Sequence, residues 1–269
     1  MREIAKQVLR AAQLTYRVGS RPLVSEIDFA LRSGEVVAML GPNGAGKSTI
    51  LKLLSGQLRP SSGTVIFGDK PLQHWPPREL ARCRAVLPQH GMVPFEFSAL
   101  EIVLLGRSPH GDGRSCLAMA LEAMEWTECR HLAEQSVKTL SGGELRRVHL
   151  ARVLVQIGLR ADRSIRCLML DEPIANLDPA HQHDALRIAR EIASQGAGVF
   201  VILHDLNLAA QYADRTILLK DGRIAAAGTP AEVISADRIR EVFGVRARII
   251  GNPVCGTPAV FLEPSSFPR

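Results

Sequence analysis

The run Gly41-Pro42-Asn43-Gly44-Ala45-Gly46-Lys47-Ser48-Thr49 sets glycines, a lysine and hydroxyls at the spacing G-x-x-x-x-G-K-[ST]. Glycines let consecutive backbone N–H groups curl around a β-phosphate, and a helix beginning there aims its positive end at the same point. In that arrangement Lys47 reaches the β- and γ-phosphates, and the Ser48 hydroxyl is set to ligate Mg²⁺. A glycine-rich turn with a chance lysine would lack the flanking elements. Here EVVAML (35–40) reads as a buried strand and STILKLLSG (48–56) has the apolar spacing of a helix. The motif implies a nucleoside triphosphate site.

Two further groups carry chemistry. CLMLDE (167–172) is an apolar strand ending in two carboxylates. Alone, that pair reads as a helix N-cap or a solvated turn. Behind a P-loop, Asp171 is the acid that holds Mg²⁺ through water, and Glu172 would face the γ-phosphate and polarise an attacking water. LSGGE (140–144) puts Ser141, Gly142 and Gly143 directly before the helical ELRRVHLARVL. Such a start presents backbone amides and a helix dipole to an anion. Ser141 followed three residues later by Glu144 also fits a capping box, and both readings can hold together.

These groups need a scaffold. Residues 11–40 alternate short apolar runs with turns, which suits antiparallel strands leading into the P-loop strand. TVIF (64–67) and AVLPQ (85–89) read as strands, whereas from about 97 to 160 the pattern is helical. Strands return at CLMLDEP (167–173), VFVILHD (199–205) and TILLKDG (216–222), with the helical HQHDALRIAREIASQ (181–195) among them. That alternation predicts an α/β fold with a parallel sheet, split in sequence by a helical insertion. DRIREVFG is a short helix before a Pro/Gly-punctuated tail with possible strands.

Composition narrows the classes. The 269 residues carry 33 basic and 27 acidic side chains, a net +6, scattered rather than clustered into a nucleic-acid patch. A phosphate ligand or an anionic membrane surface accounts for that mild excess equally well. No run approaches the ~18 apolar residues of a membrane span, and the first residues lack the apolar core of a signal peptide. The five cysteines (Cys83, Cys116, Cys129, Cys167, Cys255) are odd in number and widely spaced, and read as buried thiols in a reducing compartment. Of eight histidines, His181 and His183 do not share a helix face and read as ordinary surface or core residues.

Taken in order, the P-loop (41–49), Gln89, LSGGE (140–144), LMLDE (168–172), ANLD (175–178) and His204 resemble the ATP-binding-cassette (ABC) family of ATPases over nearly the whole chain. The resemblance implies a RecA-like P-loop sheet with an N-terminal antiparallel β subdomain and an inserted α-helical subdomain. It treats 1–269 as one ATPase domain, with the β subdomain and P-loop part of the core at 1–95, the helical subdomain at 96–160, the rest of the core at 161–229 and the C-terminal helix and tail at 230–269. It implies that Gln89 touches Mg²⁺ or water and senses a membrane partner. His204 would hydrogen-bond the γ-phosphate, and Asp178 would sit at a dimer contact. Each ATP would lie between one chain's P-loop and the Ser141–Gly143 of a second chain. The chain departs from the family pattern at three points. Leu145 and Arg146 stand where Gln-Gln is common, Ile174 replaces a usual Thr, and Val18 takes the place of the adenine-stacking aromatic. Tyr16, on the same face of a strand as Val18, is the substitute stacking candidate.

Within that family a transporter subunit competes with a soluble ATPase acting on nucleic acid or ribosomes. The interval from Lys47 to Leu140 holds no sustained heptads and the chain has one P-loop, which favours the transporter, and a stand-alone cassette resembles those of bacterial importers. Segments 69–110 and 242–264 resemble the group handling iron chelates, vitamin B12 and heme, with WPPRELAR and AVLPQH most like the hemin-import subunits. That resemblance implies a homodimer at the cytoplasmic face of the inner membrane, two permease copies, a periplasmic binding protein reached through the permease, and no nucleic acid. Phe95, Phe97 and Leu100 are either part of the permease groove or core of the helical subdomain.

Overall fold

The computed structural model of the chain describes residues 6–89, 96–111, 115–159 and 165–263. Its centre is a six-stranded sheet in the order β10-β9-β3-β8-β7-β6. The strands are β3 (Val36–Leu40), β6 (Arg84–Leu87), β7 (Cys167–Asp171), β8 (Gly198–Ile202), β9 (Arg215–Lys220) and β10 (Arg223–Gly228). All neighbours pair in parallel except β10, which returns antiparallel on β9. Every residue of β3, β7 and β8 is buried, the pattern of parallel strands covered on both faces.

Side-chain alternation divides these strands between two cores. Val36, Ala38 and Leu40 of β3, with Leu168, Leu170, Val199 and Val201, face one layer. Helices α3 (Ala99–Leu105), α4 (Cys116–Trp126), α5 (Gly142–Ile157), α6 (Pro179–Ser194) and α7 (Leu206–Tyr212) contribute to that layer. Val37, Met39, Cys167, Met169, Phe200 and Ile202 face the other, packing with α1 (Lys47–Leu54), α2 (Pro77–Cys83) and the antiparallel sheet. That second sheet has the order β2-β1-β4-β5, built from β1 (Gln7–Val18), β2 (Arg21–Arg32), β4 (Ser62–Phe67) and β5 (Lys70–Pro71). The chain closes with α8 (Pro230–Val233), α9 (Ala236–Phe243) and the hairpin β11 (Ala247–Gly251)–β12 (Pro258–Leu262).

The helices α3 to α5 lie in sequence between β6 and β7, so the helical stretch does split the sheet. Strand order then fixes the site. The P-loop follows β3, His204 follows β8, Asp171 and Glu172 end β7, and Gln89 follows β6. Four adjacent parallel strands therefore deliver their trailing residues to one edge, where open α/β sheets bind ligands.

No disulfide joins the cysteines among the described residues; Cys83, Cys129 and Cys167 are buried as read from sequence. Cys116 is only half-buried and Cys255 is exposed, because each lies at an element end or hairpin turn away from both cores. No helix among the described residues is long and apolar enough to cross a membrane.

Candidate functional site: a nucleotide cleft at the strand ends

A cleft of about 480 Å³ is lined by Leu23, Asn43, Gly44, Gly46, Lys47, Ser48, Thr49, Gln89, Glu172 and His204. The loop from β3 to α1 wraps one side. A Cβ on Gly41 would come within 2.3 Å of the Leu219 carbonyl oxygen, so only glycine lets the loop pass so close to β9. Gly46 caps α1 in a left-handed conformation, and the loop enters the helix at Lys47. The Lys47 ammonium donates to the carbonyls of Gly41 (2.7 Å) and Pro42 (3.0 Å). Burial holds its pKa below the ordinary lysine value, a shift opposed by the nearby Glu172 and Asp171.

Asp171 is buried at the end of β7, and burial raises its pKa above the usual carboxylate range. A hydrogen bond with Ser48 acts against that rise. Asp171 Oδ1 is buried with no hydrogen-bond partner among the described residues. A desolvated carboxylate oxygen beside the Ser48 hydroxyl is a donor set that suits a hard divalent cation such as Mg²⁺.

Glu172 has a φ of 51°, in the left-handed region that non-glycine residues seldom occupy. Its carboxylate Oε1 lies 2.6 Å from His204 Nε2, an imidazole N–H donating to the acid. Both groups line the cleft opposite the P-loop. A carboxylate so held and aimed at a phosphate cradle is arranged to accept a proton from water.

Ser141, Gly142, Gly143 and Asp178 lie outside this cleft. Ser141 caps α5 in a full capping box: its N–H (2.8 Å) and hydroxyl (2.7 Å) donate to Glu144 Oε2, and Glu144 N–H donates to Ser141 Oγ at 3.3 Å. A Cβ on Gly143 would sit 2.9 Å from the Asn176 carbonyl oxygen, so the glycine lets the LSGGE turn pack on the ANLD loop. Asp178 caps α6, accepting from His181 N–H (3.0 Å) and pairing with His181 Nδ1 (2.8 Å), which lowers its pKa. Within one chain, then, the P-loop, Gln89, Glu172 and His204 converge, while the exposed Ser141, Gly142 and Asp178 and the half-buried Gly143 lie apart from them. His181 and His183 each have their own partner, His183 Nδ1 meeting the Tyr212 hydroxyl at 2.7 Å.

The two residues weighed for base stacking, Tyr16 and Val18, stand apart from the cleft lining. Val18 is 58% exposed and Tyr16 packs half-buried against the core below, and neither lines the cleft. Strand pairing shifts by one residue between Tyr16–Val24 and Arg17–Pro22, leaving Leu23 as the extra residue on β2. A bulge of that kind re-aims a side chain, and Leu23 lines the cleft instead. Phe97 and Leu100 are half-buried against the helical-layer core, the plainer of their two readings, and Phe95 lies outside the described residues.

Arg146 is a second residue whose role pattern reading missed. It is buried, with its guanidinium donating to the carbonyls of Pro88 (2.7 Å), Gln89 (3.3 Å), Asp171 and Glu172 (2.7 Å).

The fold and cleft define a P-loop nucleotide-binding cassette. Residues 24–175 match the family model described as ABC transporter, and the chain belongs to that family. The chain is 47% identical to the hemin import ATP-binding protein HmuV of Gloeobacter violaceus over 256 residues, covering 94% of this chain and 93% of that one. It is 48% identical to HmuV of Myxococcus xanthus (88% and 90% covered) and 44% identical to that of Aliivibrio fischeri (96% and 98% covered). Among solved structures, an inward-facing ABC transporter assigned to the metal-chelate type matches at a TM-score of 0.79. It has 24% identity and covers 97% of this chain and 99% of that one. An ATP-binding cassette solved in its ADP conformation matches at a TM-score of 0.73 and 25% identity, covering 88% and 98%.

Proposed function

We propose that this chain is the ATPase subunit of a bacterial importer whose cargo is hemin. The observation that carries the reading is the 47% identity, over 94% of the chain, to a protein named for hemin import, together with a cleft in which Lys47, Gln89, Glu172 and His204 converge. In this reading the amides of 41–49 and Lys47 bind the ATP phosphates. Leu23 supplies the apolar surface for the base, Tyr16 and Val18 lying beside it on the neighbouring strand. Mg²⁺ bound here would be held by Ser48, Asp171 and Gln89, and would neutralise charge developing on the phosphates. Glu172 polarises the attacking water, and His204 holds its carboxylate and reaches the γ-phosphate.

One chain carries half of each working site. Ser141, Gly142, Gly143 and Asp178 of a second copy close over the nucleotide, the exposed start of α5 facing the γ-phosphate. Closure on ATP and reopening after hydrolysis drive two copies of a separate permease, which takes hemin from a periplasmic binding protein. The chain sits peripherally on the cytoplasmic face of the inner membrane. The permease meets the surface contributed by roughly residues 90–110; α2, which packs beside Ser108–His110, also borders a pocket of about 380 Å³ lined by residues that include Leu72, Trp75 and Leu80. Arg78 and Arg82 of α2 both donate to the Pro109 carbonyl and tie α2 to the 108–110 turn.

The test is uptake in a strain lacking this subunit, with hemin, a ferric siderophore and vitamin B12 supplied separately. Loss of hemin uptake alone is expected. Loss of siderophore or vitamin B12 uptake with hemin uptake intact would overturn the cargo assignment.

A further inference from the structure

The parallel ladder between β6 and β7 ends at the pair Leu87–Leu170. The next residues, Pro88 and Gln89 on one side and Asp171 and Glu172 on the other, no longer pair across this edge, although Gln89 and Glu172 line the cleft. One side chain spans the gap. Arg146 stands in the second turn of α5, five residues past the Ser141 cap, and is 8% exposed. Its Nη1 donates to the carbonyls of Pro88 and Gln89, and its Nη2 to those of Asp171 and Glu172. A planar guanidinium offers a rigid fork of donors that can serve two chain segments at once. The carboxylates of Asp171 and Glu172 offset the cost of burying its charge.

Glu172 needs such a hold. Its left-handed backbone is disfavoured for a side chain with a Cβ, and such conformations persist only where the surroundings over-determine them. Its N–H donates to the Ile202 carbonyl at 3.2 Å, tying it to β8, and its own carbonyl is the one Arg146 grips. The two bonds fix both ends of the residue, and so the direction in which its carboxylate leaves the chain.

We infer that Arg146 is a positioning residue for hydrolysis, one that sets the Glu172 carboxylate and the Gln89 loop in register with each other and with the LSGGE helix. A displacement of α5 moves both loops together because one guanidinium holds them. A glutamine here would offer one donor nitrogen, able to serve one segment; a lysine would offer a point charge without the fork. The inference rests on the proposed roles of Glu172 and Gln89.

The test is a double-mutant cycle on the purified full chain, measuring steady-state and single-turnover ATP hydrolysis together with melting temperature. Arg146→Met should lower kcat by about 10- to 100-fold with KM for ATP changed less than about twofold, the signature of a misplaced catalytic group. Arg146→Lys should recover part of that loss. In a Glu172→Gln background the same Arg146→Met change should alter the residual single-turnover rate by less than about twofold, since the group it positions is already gone. Should Arg146→Met fail to fold, Arg146→Leu carries the same comparison. A wild-type kcat in the folded variant, or an equal loss in both backgrounds, would overturn the inference. Wild-type turnover by Glu172→Gln alone would instead overturn the catalytic reading of Glu172, whatever Arg146 does.

Discussion

His204 Nε2 and Glu172 Oε1 meet at 2.6 Å, which joins the trailing ends of two neighbouring strands, β8 and β7, through one hydrogen bond across the nucleotide cleft. The bond orients the acid without touching the P-loop. Glu172→Gln should therefore leave ATP affinity nearly unchanged and lower kcat by about 100-fold or more, the usual worth of a general base. Steady-state hydrolysis beside equilibrium binding of a fluorescent ATP analogue checks this, and a wild-type kcat would remove Glu172 as the base.

Lys47 is proposed to serve binding rather than proton transfer. Its ammonium lies at the carbonyls of Gly41 and Pro42, within the loop proposed to cradle the phosphates. Lys47→Ala should abolish ATP binding or hydrolysis while the fold remains, as read by calorimetric titration and by circular dichroism. Normal turnover would sink the P-loop assignment.

Asp171 gives a prediction with a definite sign. Burial holds its folded pKa above the unfolded value, so the ionised form is disfavoured in the native chain. That cost is absent at pH below the unfolded pKa and is fully present once pH rises above the folded one. Asp171→Asn, which never ionises, should melt higher than the native chain at neutral pH, and the difference should shrink as pH falls into the carboxylate range. The same variant should lose Mg²⁺-dependent hydrolysis. A melting advantage that grows on acidification would contradict the reading.

The thiols separate by environment. Burial pushes the Cys167 thiol up to about 12, whereas the exposed Cys255 is held below its ordinary value by a hydrogen bond from Thr257. A brief pulse of iodoacetamide near neutral pH should alkylate Cys255 first and leave Cys167 untouched, since the thiolate is the reacting form. Peptide mass mapping, with Cys255→Ser as control, reads the outcome; prior labelling of Cys167 would refute it.

Much of this was legible because the chemistry demands particular residues at fixed spacing. The glycines of 41–46, Lys47 and the Asp171-Glu172 pair could be placed without coordinates, and the mainly apolar EVVAML, CLMLDEP and VFVILHD segments announced strands of a parallel sheet. Leu23 was not legible. Its place in the cleft depends on a one-residue slip between β1 and β2, and period-two reasoning carried Tyr16 to the site instead. Arg146 stood out in sequence only as a departure from a usual Gln; its role was hidden because on the helix pattern it is one more polar residue of ELRRVHLARVL, and its meaning lies in four carbonyls on two distant segments. Phe97 and Leu100 show the limit of composition, since an apolar residue reads the same whether it faces a core or a partner.

The central claim is that each working site is shared between two copies, because Ser141–Gly143 stand apart from the cleft that holds Lys47 and Glu172. Analytical ultracentrifugation of Glu172→Gln with Mg-ATP, with and without an added Ser141→Arg substitution, tests it most directly. Ser141→Arg also removes the α5 cap, at a cost of about 1 kcal/mol, so melting temperature is followed in parallel. The account predicts an ATP-dependent dimer for Glu172→Gln, and a monomer that still binds ATP once Ser141→Arg is added. Loss of ATP binding by that monomer, or a dimer indifferent to Ser141→Arg, would contradict it.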